Sequence, residues 1–244
     1  MVLTDSFLAV RPRPNRSYVR PPRPVHFPES AEMPETGLHL RLRTALFLLV
    51  SDFVGQRGAV GSDQFVYWDP SDPRQCLAPD LIVRMGALPE SFPTWKTWER
   101  GAPHLGVEIV SQFDSGEAGW HKKLARYRKA GIGEVVRFDP DDPLRPLRLW
   151  DRFEGDLVER ELDGENALLC DTLGLYWCVR NDAGLGPMLR LSLDALGETL
   201  VPSAVERGQE REQAAIEREQ AGAAALAKER ARVAELEAEL RRRR

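Results

Sequence analysis

Leu105-Gly106-Val107-Glu108-Ile109-Val110-Ser111 is the stretch that decides the fold. It is apolar and β-branched, interrupted only by Glu108, and reads as a strand. Gln112 to Gly119 reads as a loop. Ala118 to Ala130 then reads as a helix, with Gly131 as its C-terminal stop, and Val135 to Phe138 as a second strand, ended by Asp139-Pro140. A strand, a helix and another strand in succession point to an α/β or α+β domain.

Working upstream, Thr36 to Gln56 reads as a helix capped by Thr36. Its apolar face would be Leu40, Leu42, Ala45, Leu46, Leu49, Val50 and Phe53, at three- and four-residue spacings. Gly58–Gly61 and Gln64–Trp68 read as short strands. Asp69–Gln75, with Pro70 and Pro73, is a turn signal. Leu81-Ile82-Val83 is a strand directly after Pro79-Asp80. Gly86 to Gly101, with Pro89, Pro93, Trp95 and Trp98, reads as a surface excursion. Downstream, 147–150, 157–162 and 173–179 continue as strands. The expected fold class is α/β, bordering on α+β.

The ends differ in composition. Met1 to Pro34 alternates arginines with prolines (Arg11, Pro12, Arg13, Pro14), the pattern of an extended arm. It could touch phosphates or pack on its own domain. Ser203 to Arg244 is almost wholly Ala, Glu, Arg, Gln and Leu, all strong helix formers. There Leu226, Val233 and Leu240 are seven apart and Leu236 fills a d position. The expected layout is an arm over 1–35, a domain over 36–202 and a long charged helix over 203–244. That helix offers a coiled-coil route to a homodimer.

The chain has 244 residues and a net charge of −4, so it is not a basic nucleic-acid coat. No stretch approaches the roughly 18 apolar residues of a membrane span. Three cysteines without CxxC spacing fit neither a disulfide framework nor a zinc cluster. These features lead us to expect a soluble cytoplasmic protein without a membrane partner.

Asp80 and Glu108 carry the chemistry. Each lies at the edge of, or inside, an apolar strand, where a bare carboxylate is costly. Two carboxylates from neighbouring strands can share one Mg²⁺, which prefers oxygen ligands. Capping, or an ion pair with an arginine, would account for the same residues. On the following helix, Trp120, Leu124, Tyr127 and Gly131 define the inner sector. Lys123 falls about 60° from its centre and Lys122 about 160°, so Lys123 can reach inward and Lys122 faces solvent. Arg84, Arg126, Arg128 and Lys129 are candidates for a basic cluster near a cleft.

Pro79-Asp80, Gly106 to Ser111, Lys123 with Tyr127, Ala130 to Val136 and Asp139-Pro140, taken in order, resemble the Uma-type putative restriction endonuclease family of the PD-(D/E)xK nuclease superfamily. The resemblance covers roughly His39 to Asp142. It implies a restriction-endonuclease-like mixed sheet flanked by helices. It also implies a divalent metal, Mg²⁺ or Mn²⁺, held by Asp80, Glu108 and the Ile109 backbone carbonyl, and a nucleic-acid substrate, expected to be DNA. In the usual superfamily pattern the lysine lies two residues after the glutamate. That position is Val110 here, and the resemblance moves the role to Lys123. His39 and Tyr127 are the further candidates, for substrate binding. The function implied is metal-dependent phosphodiester hydrolysis. The alternative is a catalytically inactive nuclease scaffold that assembles through its C-terminal helix.

Overall fold

The computed structural model describes residues 36–111, 116–161 and 167–243. The Arg/Pro arm expected over 1–35 lies outside the described residues, as do most of the loop after Ser111 and the end of the strand expected over 157–162.

Six strands form the central sheet: β1 (Gly58–Gly61), β4 (Leu81–Met85), β6 (Leu105–Ile109), β7 (Glu134–Phe138), β8 (Leu147–Phe153) and β9 (Asp156–Glu159), side by side in that order. Every neighbouring pair is antiparallel except β6 and β7. Parallel neighbours cannot be joined by a hairpin and need a crossover. The helix α3 (Gly116–Ala130) supplies it. The sheet is therefore mixed, and its antiparallel and parallel parts meet at β6.

Each face of this sheet has its own cover. On one face lies α1 (Gly37–Val54), started by Thr36, whose hydroxyl accepts the His39 N–H at 3.1 Å. It buries Leu42, Leu46, Leu49, Val50 and Val54, but Leu40, expected inside, is 47% exposed. Beside α1 packs a meander of β10 (Ala167–Cys170), β11 (Leu175–Asp182) and β12 (Gly186–Ser192). Leu168, Trp177, Leu189 and Leu191 share one core with Val107, Ile109, Val136 and Phe138 of the main sheet. Glu134 locks the two sheets together. Its buried carboxylate accepts the N–H groups of Asp171 at 3.1 Å and Thr172 at 3.0 Å.

The opposite face carries α3 and a small sheet of β2 (Val66–Tyr67), β3 (Cys76–Leu77) and β5 (Trp95–Lys96), ordered β3-β2-β5. The segment expected as a surface excursion is thus partly core. Trp95 pairs through its backbone with Val66, is 1% exposed, and donates its indole N–H to the Gly101 carbonyl at 2.8 Å. Prolines mark the irregular backbone there, but they do not show where its aromatics pack. A one-turn helix, α2 (Thr97–Arg100), follows.

The chain ends in α4 (Ala204–Arg242), opened by a Ser203/Glu206 capping box. Arg190 pairs with Glu206 at 2.8 Å, and Arg207 pairs with Asp52 of α1, which ties the root of the helix to the body. Beyond the root, α4 buries none of its residues, and Leu226, Val233, Leu236 and Leu240 are 46–65% exposed. No helix among the described residues is long and apolar enough to cross a membrane.

Because Trp95 fills the core under the small sheet, Trp95→Ala should cost about 3–5 kcal/mol. Trp98→Ala, at a position 40% exposed, should cost under about 1 kcal/mol. Urea unfolding of the two variants checks the contrast.

Candidate active site

The site lies where β4 and β6 run past each other, between the first turns of α1 and the middle of α3. Leu81 pairs with Val107, so Asp80, one residue earlier, stands across from Glu108, one residue later. Asp80 is 8% exposed and Glu108 3%. Asp80 Oδ2 accepts the Ile109 N–H at 2.7 Å. This bond replaces the ladder contact that β4 no longer supplies and fixes the aspartate against β6. In an extended strand a residue's N–H and C=O point to the same side. The Ile109 carbonyl therefore lies on the Asp80 edge of β6, away from β7.

Each carboxylate is gripped by two side chains one helical turn apart. On α3, Lys123 Nζ donates to Glu108 Oε1 at 2.7 Å and the Tyr127 hydroxyl donates to Glu108 Oε2 at 3.0 Å. On α1, His39 Nε2 lies 2.8 Å from Asp80 Oδ1, and Arg43 Nε lies 4.0 Å from the same oxygen. Residues at i and i+4 share a helix face, so both helices place their pair without distortion. Arg43 also reaches Asp63 at 3.0 Å. Asp63 has φ +59°, a left-handed backbone that Asp tolerates better than most residues. Its N–H donates to Pro79 O at 3.0 Å, and Ser62 Oγ donates to the Asp80 carbonyl at 2.7 Å. The turn after β1 is thereby pinned to Pro79-Asp80.

Tyr127 is fully buried and turned to Glu108. It leaves no room for a side chain at Gly106, where a Cβ would stand 2.5 Å from Tyr127 Cε1. The glycine inside β6 is thus the space into which the tyrosine ring fits.

Of the expected site residues, the structure brings together Asp80, Glu108, Ile109, Lys123, Tyr127 and His39. Of the expected basic cluster, only Arg126 borders the cleft over Glu108. Arg84 turns to the Ala102 carbonyl, and Arg128 pairs with Asp156 at 3.5 Å. Sequence reading missed Arg43, Asp63 and Ser62. The one available signal was that Arg43 lies four residues after His39. The inner face of α3 also differs in detail, since Leu124 is half-buried and Gly131 exposed.

Burial sets the electrostatics. It drives the Glu108 pKa up from 4.5 to about 7. The Lys123 ammonium opposes this, the Asp80 charge reinforces it, and the Tyr127 hydroxyl opposes it weakly. Burial, with the charge of Glu108, also raises Tyr127 well above its ordinary value, so it stays a neutral donor. Among the described residues no three His, Cys, Asp or Glu side chains cluster tightly enough to hold a metal by themselves. The donor chemistry nevertheless suits a hard cation: two buried carboxylates that repel each other, with a backbone carbonyl on the same edge.

A mixed α/β sheet, covered on both faces and carrying paired carboxylates and a lysine where its two halves meet, has the layout of the restriction-endonuclease-like class. The chain belongs to the Uma2 family, whose model carries the description "Putative restriction endonuclease" and matches residues 29–180, more than half of the sequence. Among solved structures, one described as a "putative nuclease belonging to DUF820 from Anabaena variabilis ATCC 29413" is similar at 16% identity. The match covers 48% of this chain and 69% of that one, with a TM-score of 0.34. No curated protein matches.

The raised Glu108 pKa has a signed consequence. The folded protein holds a proton between about pH 4.5 and 7 that the unfolded chain releases, so stability should fall as pH rises through that window. With a chelator present, Glu108→Gln should flatten this part of the profile. Denaturant midpoints measured across that window give the comparison.

Proposed function

We propose that this protein is a divalent-metal-dependent nuclease that hydrolyses phosphodiester bonds, with DNA as substrate. The reading rests on one observation above all. The two buried carboxylates stand across β4 and β6 with a lysine delivered to Glu108 from the next helix, at 2.7 Å. Membership of a family described as restriction endonuclease supports the same reaction class.

Asp80, Glu108 and the Ile109 carbonyl would hold the ion, Mg²⁺ or Mn²⁺. When bound, such an ion neutralises charge on the scissile phosphate and makes a water more acidic. The reaction joins the oxygen of water to phosphorus, breaks the bond to the leaving oxygen, and returns a proton to that oxygen. Lys123 is 32% exposed. In this reading it keeps its charge beside Glu108 while facing the cleft, where it stabilises negative charge building on the phosphate. Tyr127 and His39 act on the carboxylates rather than on substrate: each orients one, and Arg43 with Asp63 supports Asp80. The domain assignment follows: 36–202 is the catalytic unit, and α4 with the residues around it is an assembly element suited to a homodimer.

A second reading, an inactive nuclease scaffold, draws on one observation: both oxygens of Glu108 already have protein partners. Cleavage separates the two. With Mn²⁺ or Mg²⁺, the wild type should nick and linearise supercoiled plasmid. Asp80→Ala and Lys123→Ala should each lose at least ~100-fold in rate while staying folded. Metal-dependent cutting retained by a folded Asp80→Ala protein would falsify the site. A wild type that cuts neither DNA nor RNA would favour the scaffold.

A further inference from the structure

Over Glu108 opens a cleft of about 260 Å³, lined by Val110, Gly116, Gly119, Trp120 and four cations: Lys122, Lys123, Arg126 and Arg137. Among the described residues Glu108 is the only acidic one in the lining, and Lys123 already pairs with it. Arg137 is also committed. It reaches Asp139 at 3.3 Å and Glu117 at 3.7 Å, and its guanidinium stacks 5.5 Å from the Trp120 ring.

Lys122 and Arg126 are different. Both are exposed, and among the described residues neither makes an ion pair. Arg126 does act electrostatically on the half-exposed Cys76 thiol, but that thiol stays protonated because burial raises its pKa. Several guanidiniums on or next to the central sheet, by contrast, are satisfied within the fold. Arg148 holds Glu159 and Glu117, Arg160 holds Asp151, and Arg152 donates to the carbonyls of Ile132 and Arg128. Among the described residues, Lys122 and Arg126 are thus two cations without an ion-pair partner at the mouth of a cleft whose floor is Glu108.

Their placement has a regular geometry. Gly119, Lys122, Lys123 and Arg126 occupy one face of α3, and all four line the cleft. Gly119 contributes no side chain, so the upstream end of that face is open. Lys123 points down to Glu108, while its neighbours on the face remain at the rim. A rim of paired cations, one turn apart, beside a floor where a phosphate would be attacked suits a polyanion with regularly spaced charges.

We infer that Lys122 and Arg126 bind the backbone phosphates flanking the scissile one, so that a nucleic-acid strand runs along the Gly119–Lys122–Arg126 face of α3. The inference rests on the nuclease reading and adds to it the binding residues and the mode. Contacts to phosphate carry no base information, so binding through this face is independent of sequence. Because such contacts release condensed counterions, it is also steeply dependent on salt.

The test uses the full chain with a chelator, so that nothing is cut. Fluorescence anisotropy of a short labelled duplex is followed over roughly 50 to 200 mM salt. Each phosphate contact contributes ~0.9 to the slope of log affinity against log salt. Lys122→Ala/Arg126→Ala should therefore lower that slope by about 2, equally on two unrelated sequences. Arg126→Lys, which keeps the charge, should leave the slope close to that of the wild type. Arg128→Ala, which removes the partner of Asp156 on another face of α3, should leave the slope unchanged. Both alanine positions are exposed, so unchanged melting temperatures establish that the variants fold. A double variant with the wild-type slope overturns the inference and leaves the nuclease reading standing. A wild type that binds neither duplex, single-stranded DNA nor RNA overturns both.

Discussion

The structure depends on keeping Glu108 inside β6, the strand on which the sheet turns from antiparallel to parallel. A carboxylate 3% exposed among Val107, Ile109 and Tyr127 needs partners for both oxygens. Lys123 and Tyr127 supply them, and in doing so they set the rotation of α3 about its axis. Gly106 is bare because the Tyr127 ring occupies the space its side chain would need. The crossover that makes β6 and β7 parallel also carries the lysine to the glutamate. Removing one partner from such a buried pair typically costs ~3–5 kcal/mol, since it strands a charge. The cluster is therefore both a structural obligation and a chemical resource.

Asp80 reaches the same point from the other direction. It precedes β4, and the end of β4 leaves the Ile109 N–H without a strand partner. The aspartate takes that N–H, while α1 brings His39 and Arg43 onto its other side. Two helices on opposite faces of the sheet thus converge at one end, each with an i, i+4 pair aimed at one carboxylate.

Much of this was legible in the sequence. The apolar run around Glu108 and the following helix mark an α/β or α+β domain, and helical periodicity selects Lys123 over Lys122 as the inward lysine. The partners of Asp80 were less legible. Asp63 acts through a left-handed turn, and Arg43 sits on a helix whose visible pattern is its apolar face; neither feature has a period. The misread segments have physical reasons. Trp95 lies between prolines, which mark where a backbone is irregular and not what it buries. The strands at 76–77 and 95–96 are two residues long and exist only through their pairing with Val66-Tyr67. β10 buries three of its four residues and β12 its last four in succession, so neither shows a two-residue alternation, and their short runs lose identity beside β11. Lys122 is exposed as the periodicity indicates, but solvent at that position is also the rim of the cleft.

The account stands or falls on whether Asp80 and Glu108 together hold a divalent ion, which would relieve the repulsion that their protein partners leave between them. Thermal unfolding of the wild type and of Asp80→Ala, with Mn²⁺ titrated from a chelated start, measures this without relying on any substrate. An ion that binds the folded state alone raises the melting temperature progressively, by about 2.7 kcal/mol of stability at a hundredfold excess over the dissociation constant. The account predicts that rise in the wild type and its loss in Asp80→Ala. A wild type whose melting temperature does not respond to Mn²⁺ or Mg²⁺, or a variant that responds equally, would contradict it.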